Sequence, residues 1–172
     1  MTRNPPLLEV ETLRTHLDTP AGLLRAVDDV SFSIAPGETL ALLGESGCGK
    51  SMTTLALLGL LPESVTQTGG ALAFGGERLH ELGARAWRKV RGARMGLVFQ
   101  DPSAALNPVL RVGFQVEEVL AAHGVGGATR SERRARVLEL FDEVQLPEPE
   151  RLIDRFPQEL SGGQRQRVMI AI

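Results

Sequence analysis

Apolar and polar positions first alternate at residues 7–13, well enough for a strand after a Pro-containing start. Residues 15–22 hold Asp18, Pro20 and Gly22 and read as a turn. Residues 23–34 form a second extended region, with strict alternation over Val30, Ser31, Phe32, Ser33 and Ile34. Pro36-Gly37 is a turn, and the apolar run Thr39, Leu40, Ala41, Leu42, Leu43 has strand length. A helix is expected from Met52 to about Gly59, closed by Pro62. Residues 64–70 are polar and turn-rich. Residues 71–74 form a brief strand, Gly75-Gly76 a turn, and 79–90 a mixed, helical stretch. Residues 95–99 read as a buried strand that stops at Gln100-Asp101-Pro102.

Beyond that point the pattern is helical. Residues 112–123 form one helix. Thr129 and Glu132 have capping-box spacing ahead of Val137, Leu140, Phe141 and Val144, which share a helical face. Pro147, Pro149 and Pro157 interrupt the next segment. A Ser-Gly-Gly turn at 161–163 then opens a helix that runs to Ile172. Repeats, low-complexity tracts and heptads are absent from the sequence.

The chemistry concentrates in Gly44-Glu45-Ser46-Gly47-Cys48-Gly49-Lys50-Ser51, followed by Met52. This is the G-x-x-x-x-G-K-S spacing of a phosphate-binding loop. Glycines let successive N–H groups curl inward around closely packed negative charge. Lys50 adds a mobile cation for the β- and γ-phosphates, and the Ser51 hydroxyl can ligate Mg²⁺. An apolar run before the loop and a helix after it supply the strand–loop–helix setting that such a motif requires.

Size and composition narrow the rest. The 172 residues, 42% of them hydrophobic, can bury one substantial core. A net charge of −2 gives no bulk reason to expect a nucleic-acid partner. Cys48 is the only cysteine, which excludes an intramolecular disulfide and a cysteine-rich metal site. It reads as a small residue that fits the loop, or as a reactive thiol. Neither a membrane-length apolar run nor a signal peptide is visible, so association with a membrane would come through a partner. Trp87 stands among Arg85, Arg88, Arg91 and Arg94, either as a nucleic-acid contact or as the anchor of a solvated helix face.

Three motifs stand in fixed order: the loop at 44–51, Gln100 at a strand end, and Leu160-Ser161-Gly162-Gly163-Gln164. Together they resemble the ATP-binding subunit of ABC transporters, whose signature is LSGGQ. Ala26-Val27-Asp28-Asp29-Val30-Ser31-Phe32, Val98-Phe99-Gln100-Asp101-Pro102 and Ala105-Leu106-Asn107-Pro108 are similar to the oligopeptide, dipeptide and nickel importer branch.

The resemblance implies an α/β fold, with a P-loop NTPase core, an antiparallel β part and an inserted helical subdomain. The β part and core would occupy 1–100, the helical subdomain 101–159, and the signature with its helix 160–172. ATP and Mg²⁺ would be held by Gly44, Glu45, Ser46, Gly47, Cys48, Gly49, Lys50, Ser51 and Met52. Gln100 would contact Mg²⁺ or the attacking water. Ser161, Gly162, Gly163 and Gln164 would face the γ-phosphate of ATP held by a second ATP-binding subunit, arranged head to tail.

Permease subunits at the cytoplasmic face of the membrane would be direct partners, and an extracytoplasmic solute-binding protein an indirect one. The family's adenine-stacking aromatic has no counterpart in residues 15–25, where His16 or Arg25 could substitute. Its Walker B strand, catalytic Glu and switch His follow the signature and cannot be assigned, so the chain is expected to bind ATP without hydrolysing it efficiently. A non-transport ABC ATPase and a degenerate, binding-only fragment are the alternatives.

Overall fold

The structure is a computed structural model that describes residues 5–62 and 64–172, with the side chains of 66–68 and 103–104 left aside. The signal-peptide reading at residues 1–4 lies outside the described residues. The chain divides into two compact units, the first ending at Arg91 and the second covering Gly92–Ile172.

In the first unit, strands β1 (Leu8–Thr19) and β2 (Gly22–Ile34) form a long antiparallel hairpin. Burial of Leu8, Val10, Leu13 and Thr15 marks the inner side of β1. Thr12 adopts a positive φ of 47° within an irregularity that shifts the register between Val10 and Leu13. Next in the chain is helix α1 (Lys50–Leu57), which buries Thr53 and Ala56 and packs on β1 and β2.

Strand β3 (Val65–Phe74) pairs with β1 on its other side, from Leu8↔Phe74 to Leu17↔Val65, and a two-glycine turn leads to β4 (Glu77–Arg78). The sheet order is β2-β1-β3-β4. A 3₁₀ turn at Leu79–Glu81 precedes helix α2 (Ala84–Val90).

Three sequence expectations change here. The turn at 15–22 shrinks to Pro20-Ala21, because β1 keeps its partners as far as Thr19↔Gly22. The turn-rich segment 64–70 becomes strand from Val65 onward, because β1 supplies ladder partners that local composition cannot reveal. Residues 39–43 are irregular rather than a strand. Leu40, Leu42 and Leu43 are exposed by 39%, 41% and 92%. No strand among the described residues pairs with them, and an apolar run of this kind needs neighbours on both sides to be stable as a strand.

The second unit is helical. Residues 95–99 are likewise irregular instead of a strand, with Val98 and Phe99 half exposed. Helices α3 (Pro102–Ala105), α4 (Val112–Ala122), α5 (Arg130–Glu143), α6 (Pro149–Leu152) and α7 (Gly162–Ala171) follow. They enclose one core built from residues that include Val112, Val116, Val137, Phe141, Ile153 and Val168.

Helix ends are satisfied in detail. The N–H groups of Val112 and Gly113 donate to the carbonyls of Arg155 and Ile153 at 2.9 and 3.0 Å. Thr129 caps α5 by accepting from the Glu132 N–H at 3.2 Å, while Glu132 accepts from the Thr129 N–H at 2.8 Å. That backbone donor holds the Glu132 carboxyl below its usual range. Gln115, 9% exposed, accepts from the Asn107 N–H at 2.9 Å and donates to the Asn107 and Leu110 carbonyls at 3.1 Å each, fixing the loop ahead of α4.

Candidate nucleotide-binding loop and signature helix

Residues 44–51 form a tight loop that ends as the first turn of α1. Gly47 and Gly49 take φ values of +83° and +98°. Gly49 has a second constraint, since a Cβ there would overlap the backbone carbonyl of Ala26 on β2. The loop therefore passes so close to β2 that only glycine fits.

The Lys50 ammonium curls back over the loop. It donates to the carbonyls of Gly44 and Glu45 at 2.8 and 2.6 Å and lies 3.4 Å from the Cys48 sulfur. No side chain caps α1, and its first turn contains no acid. The first-turn N–H groups thus lack intrahelical acceptors, and the positive end of the helix faces the loop. Thr53 and Thr54 return their hydroxyls to the Gly49 and Lys50 carbonyls at 3.0 and 3.1 Å, which leaves the Ser51 hydroxyl as the exposed one in this turn. The Lys50 ammonium and the uncapped N-terminus of α1 beside it are donors of the kind that a polyphosphate needs. The residues fit the group, with the exposed Ser51 hydroxyl in the same turn as an oxygen of the type that can ligate a cation.

The far end of α1 is anchored by one of the cations that the sequence groups around Trp87. Arg91 donates from Nε to the Leu58 carbonyl at 2.6 Å and from Nη2 to the Gly59 carbonyl. Its guanidinium lies 4.9 Å from the centre of the Trp87 ring. A Cβ on Gly59, whose φ is +59°, would press on both side chains. Trp87 is thus a packing anchor at the end of α1, of the two roles open to it.

His16 and Arg25 are cross-strand partners, and both approach Asp28, at 3.9 and 3.3 Å.

In the second unit, Gln100 is exposed at a bend. Its neighbour Phe99 donates its N–H to the Met169 sulfur of α7 at 3.1 Å. Ser161 is the N-cap of α7. Its hydroxyl accepts from the Gln164 N–H at 3.2 Å, and Gln164 accepts from the Ser161 N–H at 2.8 Å. Gly162 and Gly163 fill the first turn, exposed and without side chains that could cover their N–H groups.

Two further residues brace the approach to this turn, and a third ties α7 to α5. Glu159 accepts from the Phe156 N–H at 2.7 Å and from Arg155 at 2.6 Å, and the first of these bonds keeps its carboxyl below the usual range. Arg165 donates to the Leu160 carbonyl at 3.0 Å. Arg167 caps the end of α5 at the Val144 and Gln145 carbonyls, at 3.0 and 2.6 Å. Arg167 reaches another helix, a contact that no local spacing in the sequence shows.

Comparison with known proteins places this geometry. The family described as ABC transporter matches residues 27–172. The chain belongs to that family. A putative peptide import ATP-binding protein of Brucella abortus is 48% identical over 170 residues, covering 99% of this chain and 51% of the relative. The dipeptide transport ATP-binding protein DppD of Lactococcus lactis is 41% identical over 166 residues, covering 96% and 47%. The chain spans about half the length of the curated relatives it matches.

Among solved structures, a dimeric bacterial ABC transporter cassette superposes with a TM-score of 0.82 at 29% identity, covering 95% of this chain and 67% of that one. A post-hydrolysis dimer of the same cassette, bound to ADP and phosphate, gives 0.80 at 28% identity. The fold is that of the ABC cassette, mixed α/β with an antiparallel sheet. No helix among the described residues is long and apolar enough to cross a membrane.

Proposed function

We propose that this chain is the nucleotide-binding part of the ATP-binding subunit of an importer for peptides or dipeptides. The observation that carries the reading is the Lys50 ammonium, held by the Gly44 and Glu45 carbonyls over an uncapped helix N-terminus. The names of the relatives, peptide import and dipeptide transport ATP-binding proteins, supply the substrate class.

Lys50 would exchange its two carbonyl acceptors for β- and γ-phosphate oxygens. Loop N–H groups from Gly47 to Met52 would bind the remaining phosphate charge, and the Ser51 hydroxyl would ligate Mg²⁺. Gln100 would orient water or Mg²⁺. Ser161, Gly162, Gly163 and Gln164 would present a helix N-terminus to the γ-phosphate held by a second ATP-binding subunit. Mg²⁺-ATP, when bound, supplies the phosphoanhydride whose cleavage powers transport through permease subunits, with a solute-binding protein delivering the peptide.

The test is titration with a fluorescent ATP analogue and Mg²⁺, comparing the chain with Lys50→Ala. Losing Lys50 removes charge-assisted bonds worth about 1.5–3 kcal/mol, so affinity should fall on the order of 10- to 100-fold. Equal affinity for both chains refutes the reading.

A further inference from the structure

Helix α2 has an inner and an outer side. Val90 is buried, and Trp87 packs beneath Arg91. Arg85, Arg88 and Lys89, spaced i, i+3 and i+4, stand together on the exposed side. Residues 84–94 carry five cations and no acid, in a chain of net charge −2.

Elsewhere many arginines are paired with carboxylates, and Arg91, Arg133 and Arg167 donate to backbone carbonyls. Arg14 meets Asp29, Arg78 meets Glu81, Arg134 meets Asp154, Arg136 meets Glu139, and Arg151 meets Glu148, all within 3.0 Å. Among the described residues, Arg85, Arg88 and Lys89 have no carboxylate within 4.0 Å. Helix stability does not account for the whole set. Arg88 and Lys89 lie in the last turn, where the helix dipole favours cations, but Arg85 lies in the first, where it opposes them.

We propose that this face docks directly on an anionic lipid surface, in addition to the partner-mediated membrane association that the sequence suggests. An exposed patch of three unpaired cations complements headgroups that diffuse laterally and gather under it. Nucleic acid fits less well. Residues 85 to 89 span only about 6 Å of helix, whereas tight duplex binding uses about 6–10 phosphate contacts. The single Trp is covered by Arg91 and the chain has no Tyr, so this face offers no ring for a base to stack on. Choosing a membrane as the occupant rests on the transporter reading above; the charge arrangement does not.

The experiment is co-sedimentation of the chain, without nucleotide, with phosphatidylcholine vesicles that do or do not contain phosphatidylglycerol. Binding is expected only with the anionic lipid and should weaken steeply between low and high salt. At about fivefold per cation, R85Q/R88Q/K89Q should lose on the order of 100-fold in partitioning. R85K/R88K, which keeps the charges, should bind as the parent does. R78Q/R136Q/R151Q, with the same change in net charge but at paired arginines, should bind nearly as the parent does.

Equal binding to both vesicle types overturns the proposal, as does an equal loss in the two glutamine variants. Tighter binding to a duplex DNA or RNA fragment than to the anionic vesicles overturns it in favour of a nucleic-acid partner. ATP-analogue titration of the same samples separates the two readings. Nucleotide binding without vesicle binding sinks this proposal alone, and vesicle binding without nucleotide binding sinks the earlier one.

Discussion

Gly47 and Gly49 allow the loop geometry to be tested by two substitutions of the same kind. Both residues have positive φ, so an alanine at either position incurs a left-handed backbone penalty of about 1–2 kcal/mol. They differ in what the new Cβ meets. At Gly47 it meets nothing within 4 Å, whereas at Gly49 it overlaps the carbonyl oxygen of Ala26, part of a paired strand that cannot easily retreat. That overlap adds a packing cost of about 1–3 kcal/mol. For a chain of this length, about 2–4 °C accompanies each kcal/mol. Gly47→Ala should therefore lower the melting temperature by about 2–8 °C, and Gly49→Ala by a further increment of about 2–12 °C. Circular dichroism melts measure the difference, and ATP-analogue titration should show the larger loss of affinity for Gly49→Ala. Indistinguishable melting temperatures for the two variants would mean that the loop does not lie against β2 as described.

Other outcomes follow from the same contacts. Arg91→Ala removes charge-assisted bonds and a ring contact from the end of α1, and should cost about 2–4 kcal/mol by urea unfolding. Arg91→Lys should recover less than half of that, because an ammonium lacks the guanidinium fork; full recovery contradicts the capping role. Alkylation of Cys48, exposed and 3.4 Å from the Lys50 ammonium, should abolish nucleotide binding by bulk, while Cys48→Ser binds normally; undiminished binding after complete alkylation counts against the loop's role. Asp154 is held below the usual carboxylate range by its hydrogen bonds to Arg134, with Arg111 adding a smaller share. A depressed folded-state pKa gives stability that is full above the unfolded value, about pH 4, and is lost as pH falls through the lower folded value. Asp154→Asn should thus flatten the acid limb of stability against pH, and its cost at pH 7 should stay within about 1 kcal/mol because the side chain is 46% exposed. An unchanged acid limb refutes the assignment.

What could be read from the sequence follows from how local each interaction is. The capping box at Thr129 was legible because donor and acceptor lie three residues apart and need nothing else; at Ser161 the sequence showed the helix start, and the structure adds the reciprocal bonds to Gln164. The buried face of α5, with Val137 and Phe141, followed from its helical spacing for the same reason. The phosphate loop is a contiguous string whose chemistry dictates its residue types, and the structure gathers it around Lys50.

Strands are different, because pairing decides them. Residues 65–70 look like a turn, with polar side chains and two glycines, yet β1 draws them into the ladder; at Gly70 a Cβ would overlap the backbone of Glu11 and Leu13. Residues 39–43 and 95–99 show the reverse. Their apolar runs suit strands flanked on both sides, and without a pairing strand they remain irregular, with Leu43 and Val98 open to solvent.

The same logic separates the arginines. In the sequence Arg91 stands among the cations around Trp87, and nothing local singles out Arg167. Each instead caps carbonyls at the end of another helix, α1 and α5, and no sequence window short enough to show a period contains both the donor and its acceptors. Their roles are set by tertiary packing, and the two positions that cap the ends of α1 and α5 are therefore ones that periodicity cannot find.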